Sequence, residues 1–207
     1  MMQIIDSVEQ GSPEWKALRL GIVTCSEIEC LMVNGKGEGG FGEGALSYMN
    51  QLIGERITGQ EAGSWTGNWY SDNGHACEPI AIDLYCARTE ADPAEISHPA
   101  IIMNHGCGYS PDGVVGDDGL LEVKTKIPKK LVDVILSGAV PKEHVAQIQG
   151  GLWISGREWC DFIAYWPGMP LVPIRMQRDE SYIAKMAVRV AQFYKLLDER
   201  LERVMAA

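Results

Sequence analysis

Residues 108–126, Gly-Tyr-Ser-Pro-Asp-Gly-Val-Val-Gly-Asp-Asp-Gly-Leu-Leu-Glu-Val-Lys-Thr-Lys, constrain the fold more than any other stretch. Apolar and β-branched residues flank a Gly/Asp cluster, the pattern of a β-hairpin. The spacing predicts a strand over 108–115, a turn over 116–119 and a return strand over 120–126. Side chains alternate across a strand, so Glu122 and Lys124 share one face and Leu121, Val123 and Thr125 the other. Asp112, on the first strand, joins the Glu122 face if the register sets it opposite. Turning Glu and Lys inward beside an Asp builds a poor core. It is a good way to hold a divalent cation and an activated water.

The rest of the chain reads as helices around a few strands. Ser12 and Pro13 open a short helix over 11–18. Thr24 to Glu27 has the form of a capping box, opening a second helix with Ile28, Leu31 and Met32 on its apolar face. Residues 34–44 are glycine-rich and read as a flexible loop. Helical spacing of Leu46, Met49, Ile53 and Ile57 predicts a helix over 44–58, followed by a Gly-rich connection over 59–68. A long helix over 70–88 carries Ile80, Leu84 and Tyr85 as its stripe, with Pro79 as a kink or effective start. A strand over 96–103 leads into the hairpin. Helices over 129–136 and 141–155 follow, then strands over 158–166 and 171–176. Asp179 caps a terminal helix to about Val204. In the 141–155 helix, Val145, Ile148 and Leu152 pack one way, while Ala146, Gln147, Gly150 and Gly151 form a small, polar side. The order predicts a single 207-residue α/β (α+β) domain with a central mixed sheet flanked by helices.

Composition bounds the function. No apolar run spans a bilayer and no basic-then-apolar leader opens the chain, so a cytoplasmic protein with no membrane role is expected. Six cysteines without a CxxC pair read as free thiols. The net charge of −10 argues against a general nucleic-acid binder. A local basic run, Lys124, Lys126, Lys129 and Lys130, still gives one place for a phosphate backbone.

Asp112, a spacer of nine residues, then Glu122-x-Lys124 suits phosphodiester cleavage. Carboxylate oxygens bind Mg²⁺, which holds the scissile phosphate and lowers the pKa of a bound water. Lys124 would place that water or stabilise the developing charge. The Val123 carbonyl is a candidate further ligand. A bare Glu-x-Lys pair is more often a solvated strand face, and Asp112 more often a turn residue.

Six segments taken together outweigh that bland reading. They are Glu14-Trp-x-x-Leu-Arg19 through Ser26, Gly74-x-x-x-Glu78-Pro, Ser110-Pro-Asp112-Gly, Leu121-Glu122-Val-Lys124, Ala146-Gln147-Ile-Gln149 and Leu152 through Asp161-Phe. In this order and spacing the chain resembles the YqaJ-like viral recombinase family, phage lambda-type exonucleases of the PD-(D/E)xK nuclease superfamily. The resemblance implies a restriction-endonuclease-like core. It implies Asp112 and Glu122 as metal ligands, Glu78 as an extra carboxylate, Lys124 as the catalytic lysine and Gln147 as its orienting partner. It also implies Arg19, Ser26 and Ser110 as the receptor of a 5′-terminal phosphate, with Ser26 in the first turn of a helix where an anion is favoured.

The expectation is therefore a Mg²⁺-dependent exonuclease, with one or two ions replaceable by Mn²⁺. It would degrade linear double-stranded DNA from its ends, 5′ to 3′, and leave single-stranded overhangs for phage-type recombination. The resemblance further implies a ring-like homotrimer, a single-strand annealing protein as partner, and a phage-infected or prophage-carrying bacterial cell as the setting. The rival readings are a related nuclease with endonuclease or single-strand activity, and a non-catalytic DNA-binding recombination partner.

Overall fold

The computed structural model describes residues 1–62 and 69–207, the side chains of 69–76 excepted. In chain order the elements are β1 (Gln3–Ile5), α1 (Pro13–Arg19), β2 (Val23–Thr24), α2 (Ile28–Met32), α3 (Glu43–Thr58), α4 (Trp69–Thr89), β3 (Ile96–Ser97), β4 (Ile101–Asn104), β5 (Cys107–Tyr109), β6 (Gly113–Val115), β7 (Gly119–Thr125), α5 (Pro128–Ser137), α6 (Lys142–Ser155), β8 (Trp159–Tyr165), β9 (Val172–Gln177) and α7 (Glu180–Met205). The mixed α/β class is as expected, but the strands form two mixed sheets. One has the order β1-β4-β5-β2, the other β3-β6-β7-β8-β9. Among the described residues no helix is long and apolar enough to cross a membrane. The Gly-rich connection read over 59–68 lies from residue 63 onward outside the described residues.

The strand expected over 108–115 is divided. β5 pairs with β4 in the first sheet, and β6 pairs with β7 in the second, with Ser110-Pro111-Asp112 between them. The strand expected over 96–103 is divided likewise, at His98-Pro99-Ala100. Each crossing contains a proline, which has no N–H to give a ladder. Side chains supply the missing donors instead. Gln10 Nε2 donates to the carbonyls of Pro99 (3.3 Å) and Pro111 (3.0 Å), and Trp15 Nε1 to that of Ala100 (3.0 Å). His98 Nδ1 lies 2.8 Å from the Asp112 carbonyl. Asp112 therefore stands on a bridged crossing between sheets and not within a strand.

β7 is the strand the helices enclose. Leu120 belongs to the larger core cluster, shared with α2, α3, α6 and α7. Leu121 and Val123 belong to the smaller one, under α4. Two stripes differ from expectation. In α3 Met49 and Ile53 are buried as expected, joined by Ala45, Tyr48 and Leu52, while Ile57 is exposed. In α4 it is Cys77, Ala81, Tyr85 and Cys86, while Ile80 and Leu84 face solvent. The loop expected to be flexible is closed by an Asn34–Phe41 bridge and by the Glu38–Arg200 ion pair. All six thiols are free.

Candidate active site

β7 turns Glu122 inward, 1% exposed, toward α6. An unpaired carboxylate there would be costly, and three groups meet it. Lys124 Nζ is 2.5 Å from Oε1, Gln147 Nε2 donates to Oε1 at 2.6 Å, and the Tyr109 hydroxyl donates to Oε2 at 3.3 Å. The chain folds this way because Glu122 and Lys124 are two apart on a strand, and Gln147 projects from the helix packed on that face.

Asp112 approaches from the crossing, and its Oδ2 accepts the Val123 N–H at 2.6 Å. Removal from water, then the nearby Glu122 charge, raises the Asp112 carboxyl well above its ordinary range. Burial alone would lower the Lys124 ammonium, but Glu122 and Asp112 outweigh it and raise its pKa, so it is charged throughout the neutral range. Glu78 is half-buried on α4, which packs on the opposite face of β7, and its charge acts on both Asp112 and Lys124. Glu78 and Gln147 thus reach the site from two sides of the sheet, not from one. Among the described residues no three acidic, His or Cys groups converge closely enough to grip a metal, and Lys124 occupies Glu122 Oε1. The donor set itself, hard carboxylate oxygens carrying more negative charge than one ammonium offsets, suits Mg²⁺ or Mn²⁺.

The second group of expected residues also meets. Arg19 Nη1 donates to Ser110 Oγ and Nη2 to Ser26 Oγ, both at 3.4 Å. Its guanidinium lies over the Trp15 ring, 4.2 Å from the centroid, and burial lowers its pKa. Trp15 Nε1 also donates to Ser110 Oγ at 3.0 Å. Ser26 is not in a helical first turn. β2 takes Thr24 into a parallel pair with Gly108, and α2 begins only at Ile28 with no side-chain cap. Ser26 sits in the turn between, with its hydroxyl 3.1 Å from that of Thr24. The basic run is spread out: Lys126 pairs with Glu143, while Lys129 and Lys130 are exposed.

Residues 14–158 match the profile of the YqaJ-like viral recombinase domain. The chain belongs to that family. Its fold, restriction-endonuclease-like, is shared with solved exonucleases. An alkaline exonuclease (LHK-Exo) from Laribacter hongkongensis is 30% identical with a TM-score of 0.83, over 94% of this chain and 97% of that one. LHK-Exo in complex with dAMP gives 30% identity and 0.82, over 93% and 96%. A phage related exonuclease from Haemophilus somnus 129PT, at 16% identity and 0.68 over 88% and 96%, shares the fold alone. No curated protein sequence matches.

Tyr109, Trp15, Gln10 and His98 have site contacts that the sequence reading did not assign. A Tyr next to Ser110-Pro-Asp112 was a usable signal for the first, but the other three come from segments with no acidic pattern. Tyr109 depends in turn on Gly151, where an added Cβ would stand 2.7 Å from its ring. Gly151→Ala is expected to destabilise by about 1–3 kcal/mol, the scale of overpacking a filled core. It should also push the Tyr109 hydroxyl off Glu122. Urea unfolding and duplex digestion check this, and wild-type values in both would count against it.

Proposed function

We propose that this chain is a Mg²⁺-dependent exonuclease that degrades linear double-stranded DNA from its ends, 5′ to 3′, for phage-type recombination. The observation that carries the reading is the meeting of Glu122, Lys124 and Gln147 at one face of β7, with Asp112 bonded to the same strand at Val123, beside a separate Arg19–Ser26–Ser110 cluster. Asp112 belongs to the same three-residue crossing as Ser110, so the two clusters share one piece of backbone.

In this reading Asp112, Glu122 and Glu78, with the Val123 carbonyl, would hold the cation. Bound there, Mg²⁺ supplies charge for the scissile phosphate and a more acidic water. The Lys124 ammonium is fixed by Glu122 and stands where charge develops on the phosphate. The Gln147 amide, held by the same carboxylate, orients Lys124 and the water. The Arg19 fork and the Ser26 and Ser110 hydroxyls offer donors to a terminal phosphate. Trp15 stiffens that fork by stacking beneath it. Family membership and the likeness to LHK-Exo support exonuclease chemistry; a ring-like trimer and an annealing partner belong to the same proposal.

Linear 5′-phosphorylated duplex, closed circular duplex and single strands, each with Mg²⁺ or with chelator, form the test. The expected result is loss of the linear duplex alone, and only with Mg²⁺. Cutting of the closed circle would overturn the exonuclease reading in favour of an endonuclease. Removing the 5′-phosphate is expected to slow initiation by about 10–100-fold, the worth of lost charge-assisted hydrogen bonds. Arg19→Ala should erase that difference; an unchanged preference in the variant would place the phosphate elsewhere.

A further inference from the structure

β8 carries a carboxylate that the reaction does not use. Along this strand Cys160, Phe162 and Ala164 face the larger core, while Ile163 and Tyr165 face the smaller one under α4. Asp161 shares the face of the latter pair, 3% exposed among largely apolar neighbours. A buried charge needs close partners, and these are present. Arg175, its register partner on β9, donates Nε to Oδ1 and Nη2 to Oδ2, both at 2.8 Å. The Arg175 guanidinium lies 3.5 Å from the centre of the Trp159 ring. The sheet therefore holds this carboxylate by itself. The Tyr85 hydroxyl of α4 then donates to Oδ2 at 2.8 Å.

That hydroxyl differs in kind from the rest of the α4 contact. Cys77, Ala81 and Cys86 meet Leu121, Val123 and Ile163 through small apolar surfaces, which resist separation but not sliding or rotation. A hydrogen bond to a fixed, charged acceptor has a set length and direction. Tyr85 follows Glu78 by seven residues, close to two helical turns or about 10 Å, so both lie on one side of the helix. Pro79, next to Glu78, removes a helical hydrogen bond from the turn that carries Glu78. Beside Glu78 the helix is held by Cys77 through apolar surface alone, so the directional contact that fixes its rotation and height is the Tyr85 hydrogen bond.

We propose that Tyr85, through Asp161 and Arg175, is a positioning residue that sets where Glu78 stands relative to Asp112 and Lys124. This rests on reading Glu78 as a metal ligand. Mn²⁺ affinity measured by calorimetry or electron paramagnetic resonance, in the full chain without DNA, tests it. Tyr85→Phe keeps the buried ring and should weaken Mn²⁺ binding by about 10-fold, the low end for groups behind a metal ligand. Glu78→Gln should weaken it at least as much, and Tyr85→Phe added to Glu78→Gln should change nothing further. Cys86→Ala, which trims the same buried face without touching Asp161, should stay within about twofold. Wild-type affinity in Tyr85→Phe would overturn the proposal. So would a second, equal loss in the double variant, or an equal loss in Cys86→Ala, since either makes the effect one of general packing. Wild-type affinity in Glu78→Gln would overturn the Glu78 reading itself, and this one with it.

Discussion

Lys124→Ala is expected to lower duplex digestion by about 10³-fold or more while leaving Mn²⁺ binding intact or tighter. The two halves have one cause. The ammonium stands 2.5 Å from Glu122 Oε1, so it occupies an oxygen that a cation would also use. Deleting it leaves that oxygen to Gln147 alone and removes the positive charge that repels a metal. The same deletion takes away a charged group on this face able to meet negative charge growing on the phosphate. Gln147 and Tyr109 remain on Glu122, so the carboxylate keeps neutral donors and the strand keeps its place. Lys124→Arg is not expected to rescue, because a planar fork cannot share Glu122 Oε1 with Gln147 as a compact ammonium does. Single-turnover digestion together with Mn²⁺ titration separates the effects. Digestion within tenfold of wild type, or a matching loss of Mn²⁺ affinity, would remove Lys124 from the chemistry.

Much of the fold was legible where local chemistry decides it. Ser12 does cap α1, accepting the Trp15 N–H, and Asp179 caps α7 through Ser181 and Tyr182. Alternation on β7 correctly put Glu122 and Lys124 on one face and Leu121 and Val123 on the other. The failures occur where tertiary pairing overrides local pattern. Thr24 to Glu27 has the form of a capping box, yet Thr24 is drawn into a parallel bridge with Gly108, a partner that sequence spacing does not reveal. Of the α4 stripe Tyr85 is buried as expected, but the rest of that side is made of Cys77, Ala81 and Cys86, smaller residues that give a weaker apolar signal than Ile or Leu. Ile80 and Leu84, the stronger signals, face solvent. Pro99 and Pro111 were the available warning that two strands were in fact four.

That division matters for the site. Ser110, Pro111 and Asp112 have no strand partner on either side. Their geometry comes from Trp15, Gln10, His98 and the Val123 N–H, donors from α1, the segment before it, the other crossing and β7. In the proposed reading, a phosphate on Ser110 and Arg19 would press on the same backbone that carries Asp112. The candidate residues were legible as types at given spacings. The coupling between the two clusters was not, because it runs through carbonyl oxygens that carry no sequence signature.

Asp112→Asn is expected to abolish digestion and, in chelator at alkaline pH, to make the protein more stable than the wild type. The Asp112 carboxyl is raised well above its ordinary range by removal from water and by Glu122. The folded chain therefore holds a proton that the unfolded chain has already released. Over that interval the folded state binds more protons than the unfolded state, so stability falls as pH rises from the ordinary carboxylate range toward the raised value. Lys124, also raised in the folded state, adds a fall of the same sign, but only above the ordinary lysine range, so it leaves the loss near neutrality to Asp112. Asparagine has nothing to ionise, and its carbonyl oxygen can still accept the Val123 N–H. The gain should be about 1–2 kcal/mol, the usual scale for relieving a functional site, and should vanish in acid where Asp112 is itself protonated. Mg²⁺ should reverse the order. It stabilises a binding-competent chain by roughly 2.7 kcal/mol at a hundredfold excess over the dissociation constant, and the asparagine variant should gain little of this. Thermal melts at acidic and alkaline pH, each with chelator and with Mg²⁺, read all four conditions. A variant that melts below wild type in alkaline chelator would mean that the Asp112 carboxyl stabilises the fold instead of burdening it.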